Sequence, residues 1–196
     1  MTKKILAIDV GIKNFSYCYL SYDPKGPSSD AKILEWDVIP VIDPKSKCRD
    51  YSFERLSEAM LSMLNDRFVD NYDADLVLIE NQPATKNKTM KSISVVIYSY
   101  FIMLKQQFGT LKRVSFVSAT NKLKCTKRSR DPSCAAMQQK TYAQRKKLAI
   151  AMTAKYLKDI DPARSEWFAA QGKRDDLSDA FLMGMHHIEQ NLFFKP

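Results

Sequence analysis

Four acidic side chains stand where an apolar run ends or is interrupted. Asp9 closes Ile5-Leu6-Ala7-Ile8, Glu80 closes Leu76-Val77-Leu78-Ile79, and Asp176 and Asp179 interrupt the start of a C-terminal stretch with helical apolar spacing. If the two runs are parallel neighbouring strands, their acids emerge at one sheet edge, where open α/β sheets form ligand sites. Asp176 and Asp179, three residues apart, share one helix face. Like charges so placed repel, so they stand either in bulk water or beside a neutralising cation. Asp175 lies about 100° around the helix from Asp176 and is read as a helix N-cap. Gathered together, Asp9, Glu80, Asp176 and Asp179 make an all-oxygen site of hard character. Such a site favours Mg²⁺ or Mn²⁺, and two such ions about 3.5–4 Å apart activate a water and stabilise a leaving oxygen at phosphorus. Each acid also has a plain structural reading: Asp9 as a turn residue before Gly11, Glu80 as an exposed strand end before Pro83, and the aspartate pair as charge favourable to a helix N-terminus. Coincidence explains all four together less well.

Acids alone would repel a phosphodiester, but the rest of the chain is basic. With 31 Lys+Arg against 22 Asp+Glu, the formal charge is +9, which implies a polyanionic partner such as nucleic acid. The excess is uneven. Residues 1–80 carry net −4, residues 81–174 net +16 and residues 175–196 net −3. The densest stretch runs from Lys122 to Lys147, and Lys122, Lys124, Lys127, Arg128, Arg130, Arg145 and Lys147 are its candidate DNA contacts. A merely solvated face is the plainer reading. Cations concentrated this way repel one another unless counter-charge is recruited, which favours phosphate binding. An acid pocket beside a basic collar is the electrostatic plan of a metal-dependent nuclease.

The 196 residues predict one domain, 1–196, able to bury its own core. A hydrophobic share of 45% and a charged share of 27% exclude a disordered, collagenous or fibrous chain. The start, Met1-Thr2-Lys3-Lys4, leads into only a short apolar run containing an Asp, unlike a signal peptide, and no stretch approaches the roughly 20 apolar residues of a membrane span. A soluble, intracellular protein with reduced thiols is expected. Cys18, Cys48, Cys125 and Cys134 include no CxxC pair, and the adjacent His186 and His187 point apart on a helix, so zinc is disfavoured.

Positioning the four acids requires a mixed sheet. Strands are predicted at Ile5–Ile8, Phe15–Tyr22 and Ile33–Val41, joined by short turns as an antiparallel meander. A helix follows over Ser52–Asn71, with Ser52 as N-cap, then a buried strand at Leu76–Ile79. Next come a long helix over Lys88–Phe108, apolar on more than one face, and a fifth strand at Lys112–Ser118. Thr120–Lys140 has no clear period and reads as a basic loop. A helix over Thr141–Leu157 should turn Leu148, Met152 and Leu157 inward. Asp161-Pro162 starts a turn region, and Asp176–Leu192 is the last helix. This order is an α/β layered domain, a five-stranded sheet with helices on its faces.

Ile8-Asp9-Val10-Gly11, Val77-Leu78-Ile79-Glu80-Asn81-Gln82 and Asp176-Leu177-Ser178-Asp179-Ala180-Phe181 resemble the three acidic motifs of RuvC-type Holliday junction resolvases, which have the RNase H-like fold. The D-x-x-D-A-hydrophobic helix is the most specific of the three. The run Lys173-Arg174-Asp175-Asp176-Leu177-Ser178-Asp179 and the I-E-N-Q strand end look most like the poxvirus branch, with the fungal mitochondrial resolvases next. The resemblance implies a homodimer that binds four-way DNA and nicks two opposed strands symmetrically with Mg²⁺ or Mn²⁺. For a poxvirus it implies resolution of concatemer junctions in the cytoplasm. It makes Asp9, Glu80, Asp176 and Asp179 metal ligands, and it requires a catalytic lysine, for which Lys146 is the first choice and Lys124 the second. Three other classes stay open. One is a different RNase H-like nuclease acting on RNA or an RNA–DNA hybrid, and another is a non-catalytic structure-selective DNA-binding protein. The third, an actin-like phosphotransferase, is disfavoured by only 5 glycines and no G-x-G.

Overall fold

A computed structural model describes residues 1–69, 73–83, 85, 87–118 and 141–193. Five strands form one sheet: β1 (Lys3–Asp9), β2 (Phe15–Tyr22), β3 (Lys32–Ile39), β4 (Leu76–Asn81) and β5 (Arg113–Ser118). The sheet order is β3-β2-β1-β4-β5. β1 is central, antiparallel to β2 and parallel to β4. The first three strands are a meander because their connections are short. The β1–β2 turn needs Gly11, where a Cβ would stand 2.2 Å from the Asn14 carbonyl oxygen. β3 stops before Pro40, which has no N–H to offer the ladder.

Among the described residues, five α-helices cover the sheet: α1 (Phe53–Phe68), α2 (Lys88–Phe108), α3 (Tyr142–Ile160), α4 (Pro162–Ala170) and α5 (Arg174–Phe193). Side chains alternate across a strand, and here the alternation separates two cores. Leu6, Ile8, Tyr17, Val77 and Ile79 pack under α1 and α2, joined by Met60, Leu64, Ile97 and Phe101. Ile5, Ala7, Cys18, Leu20 and Leu78 face the other way, onto Leu177, Phe181 and Ile188 of α5 and Leu157 of α3. Helices on both faces of a mixed five-stranded sheet bear out the predicted architecture.

Some elements differ from expectation. The segment after Asp161 is not a turn region but the helix α4. The Asp161 side chain accepts a hydrogen bond from the Arg164 N–H, and Pro162 occupies the first helical turn, an Asp-Pro start that helix-capping rules favour. α5 begins at Arg174, so Asp175 lies inside its first turn and is not an N-cap. On α3 the buried face is Ala149, Thr153 and Leu157; Leu148 and Met152 are half-buried. α2 does bury several sides, but Val95 and Met103 are exposed. Ser52 caps α1 as expected, accepting from the Arg55 N–H.

Candidate active site

Strand alternation places the first two acids. Asp9 follows Ile5 and Ala7 on the α5 side of β1, and Glu80 follows Leu78 on the same side of β4. The parallel register runs from Ile5↔Leu76 to Ile8↔Ile79, so Asp9 and Glu80 occupy the next step of neighbouring strands. Both are almost closed to solvent, at 9% and 8% exposure, so neither is the exposed turn or strand end of the plain reading. Burying two carboxylates side by side is costly unless polar or ionic partners compensate.

α5 brings the third acid to them. Ser16, which pairs with Asp9 across the β1–β2 ladder, donates its hydroxyl to the Asp176 carbonyl at 2.7 Å. One residue further, the Trp36 indole N–H of β3 reaches the Leu177 carbonyl at 3.0 Å. The close approach continues down the helix at Gly184, where a Cβ would lie 2.5 Å from Leu20 Cδ1. The first turns of α5 are therefore held over the ends of β1 and β2. Burial, then the negative charges of Asp175 and Asp9, push the Asp176 carboxyl up to about 6. Asp179, half-buried, follows Asp176 on the same side of the helix.

Gln82 completes the strand end. Its amide nitrogen donates to Glu80 Oε2 at 2.7 Å and to the Val10 carbonyl at 3.3 Å, tying the ends of β4 and β1 together. Neither Gln82 nor Ser16 stands out in the sequence by charge. Their signal is positional, Gln82 two residues beyond Glu80 on the same strand side and Ser16 opposite Asp9 across the turn. The carboxylate donors at this sheet edge suit a hard divalent cation. Among the described residues, however, no three His, Cys, Asp or Glu side chains are drawn together as a ready-made metal cage. The acids share one face of the sheet and one end of it.

Lys146 lies close enough to Asp176 for its charge to favour the ionised carboxylate. It forms an ion pair with Asp175 and lies 5.0 Å from the Tyr142 ring centroid. The hydrogen bond to Asp175 keeps Lys146 charged far above neutral pH. In return, the lysine and nearby backbone N–H groups outweigh the effect of burial and hold the Asp175 carboxyl below its ordinary value. Arg145 and Lys147 are exposed on the first turns of α3. Lys122, Lys124, Lys127, Arg128 and Arg130 lie outside the described residues, as do Cys125 and Cys134. Lys91 reaches Asn81 at 2.7 Å, but Asn81 points to the α2 side of β4, away from Glu80.

A parallel β1–β4 pair with acids at its end, crossed by an acid-bearing C-terminal helix, is the RNase H-like architecture of the RuvC-type resolvases. The yeast mitochondrial Holliday junction resolvase Ydc2 superposes with a TM-score of 0.61 at 19% identity, over 96% of this chain and 80% of that one. RuvC of T. thermophilus, solved in complex with a Holliday junction substrate, superposes with a TM-score of 0.53 at 14% identity, over 97% and 95%. The chain itself belongs to the poxvirus A22 protein family, which it matches over residues 3–191. It is also similar to the uncharacterized protein L451 of Acanthamoeba polyphaga mimivirus, 33% identical over 121 residues. That match takes in 58% of this chain and only 28% of the mimivirus protein. The poxvirus resemblance seen in the acidic motifs is thus borne out. No helix among the described residues is long and apolar enough to cross a membrane.

Proposed function

We infer that the chain is a Holliday junction resolvase, a nuclease that cuts four-way DNA, acting as one domain over residues 1–196. The observation that carries this reading is Asp9 and Glu80 side by side at the buried ends of β1 and β4, with Asp176 near enough to Asp9 for their charges to interact, in a chain of the A22 family. Asp9, Glu80, Asp176 and Asp179 would hold Mg²⁺ or Mn²⁺, two ions in the working enzyme. When bound, the ions supply an activated water and neutralise charge at the leaving oxygen.

The chain's own residues do the rest. Gln82 donates to the Glu80 carboxylate and orients it. Ser16 and Trp36 fix the register of α5 so that Asp176 stays beside Asp9. Lys146, paired with Asp175, is held in its charged form. Its role is that of a fixed positive charge, which stabilises a phosphate oxygen as negative charge grows in the transition state. Arg145 and Lys147, together with the basic residues between 122 and 130, bind the phosphodiester backbone. Two copies related by a two-fold axis would each nick one strand, at a viral replication site in the host cytoplasm.

The test is a labelled four-way junction incubated with the protein and Mg²⁺. Paired nicks at symmetric positions are expected, with none in EDTA. Asp9→Asn should abolish cutting while leaving junction binding nearly unchanged. Equal cutting of an RNA–DNA hybrid or structured RNA would instead support another RNase H-like nuclease. Binding without products at any metal concentration would support a non-catalytic DNA-binding protein.

A further inference from the structure

A second feature borders the acidic centre and has no part in the chemistry described above. A groove of about 450 Å³ runs beside the first turn of α5, lined by Leu177, Trp167, Lys13, Lys173, Pro44 and Asp37 among others. Its Lys173 lies close enough to Asp176 for its charge to act on that carboxyl. Lys13 lies in the β1–β2 turn four residues after Asp9, and Lys173 and Leu177 flank Asp176 in the chain.

The groove carries positive charge and an aromatic wall. Lys173 is exposed. Lys13 donates one hydrogen bond to the Pro44 carbonyl at 2.9 Å, which leaves two of its three N–H groups for another acceptor. The one acid among the described lining residues, Asp37, is already engaged by the Arg67 guanidinium at 3.5 Å. Trp167 keeps 37% of its surface exposed while its ring packs 5.4 Å from the buried Trp36, which in turn stacks on Phe168. It is a large aromatic side chain held in place from behind and open in front. Aromatic faces fixed next to cations bind single-stranded nucleic acid, because every base has a π-face and every nucleotide a phosphate. The groove's volume suits one small organic group and excludes a duplex.

We propose that this groove holds one unpaired nucleotide of the DNA strand beside the cut, its base stacked on Trp167 and its phosphate paired with Lys13 and Lys173. The proposal rests on the resolvase reading, in which the crossover of a four-way junction is the place where base pairs open most readily. It gives the enzyme a way to recognise a branch point by an unpaired base next to the reacting phosphate, in addition to the overall shape of the junction.

The experiment uses the full chain in EDTA, where binding is read without cutting. The probes are a single-stranded oligothymidylate and a four-way junction. Trp36 and Trp167 are the chain's two tryptophans, so the fluorescence lost on adding the oligothymidylate should disappear in Trp167→Phe. Trp167→Ala should weaken junction binding roughly five- to a hundredfold, the range for loss of one base–aromatic stack, whereas Trp167→Phe should keep most of it. The surface double variant Lys13→Ala/Lys173→Ala should reduce the slope of log affinity against log salt by about 0.7, one single-strand phosphate contact. Wild-type affinity and slope in both Trp167→Ala and the double lysine variant would overturn the proposal. The resolvase reading fails separately, if the wild type binds duplex as tightly as the junction; the groove is then judged by the oligothymidylate quench alone.

Discussion

Asp176 carries an electrostatic penalty that its neighbours impose. Its carboxyl titrates near 6 rather than at 3.8 because it is buried and faces Asp175 and Asp9. Between those values the folded chain binds more protons at this group than the unfolded chain, so stability falls as pH rises through about 6. In chelated buffer at pH 7.5, Asp176→Asn should therefore melt above the wild type, by about 2–4 °C per kcal/mol of penalty relieved. At pH 4 the two should melt together. Divalent cation should close the gap from the other direction, raising the wild type at pH 7.5 and not the variant. Gln82 offers a second test at this scale. Outer partners of metal ligands commonly contribute about 10–100-fold in activity, so Gln82→Ala should slow cutting by that order with junction affinity little changed, measured by single-turnover cleavage and equilibrium binding.

Helix α5 does two jobs, filling one core and delivering two acids, and its fit against β2 governs both. Gly184→Ala would drive a methyl group to 2.5 Å from Leu20 Cδ1. Overpacking of that kind costs about 1–3 kcal/mol, readable as a lower urea midpoint, and a lifted helix should lose cutting in step. The opposite side of α5 is tied to α3 through Tyr156, whose hydroxyl donates to Glu189 Oε1 at 2.8 Å. Glu189 is almost wholly buried. Tyr156→Phe removes a donor from that buried carboxylate and should cost about 1–3 kcal/mol without changing the metal dependence of cleavage. Loss of stability together with altered metal dependence would mean that the α3–α5 contact also shapes the acidic centre.

At the scale of the molecule, the resolvase reading has a +9 chain hold phosphate by its basic residues and cut at its acidic centre. Junction affinity should fall steeply with salt, by about 10³ or more between 50 and 200 mM if six or more phosphates are neutralised. Arg145→Ala/Lys147→Ala should flatten that slope without abolishing cleavage at low salt. Paired nicks require two active sites, so sedimentation of the active species should give twice 22.5 kDa. A particle of that single mass, still making paired nicks, would sink the dimer.

Most of the sheet and the identity of the acids could be read from the chain because both depend on short-range physics. Period-two alternation marks Phe15–Tyr22, helical spacing marks Lys88–Phe108, and Asp9, Glu80, Asp176 and Asp179 stand out because each interrupts an apolar pattern. That Asp9 lies beside Glu80 and near Asp176 was not legible in that way. It depends on β1 and β4 pairing in parallel across an intervening meander and helix, and on Ser16, Trp36 and Gly184 setting how closely α5 lies on the sheet. α4, the groove beside Trp167, and the pairing of Lys146 with Asp175 likewise emerge only when segments distant in the chain pack together. Local spacing records which side chains share a face of one element; only packing determines which faces meet.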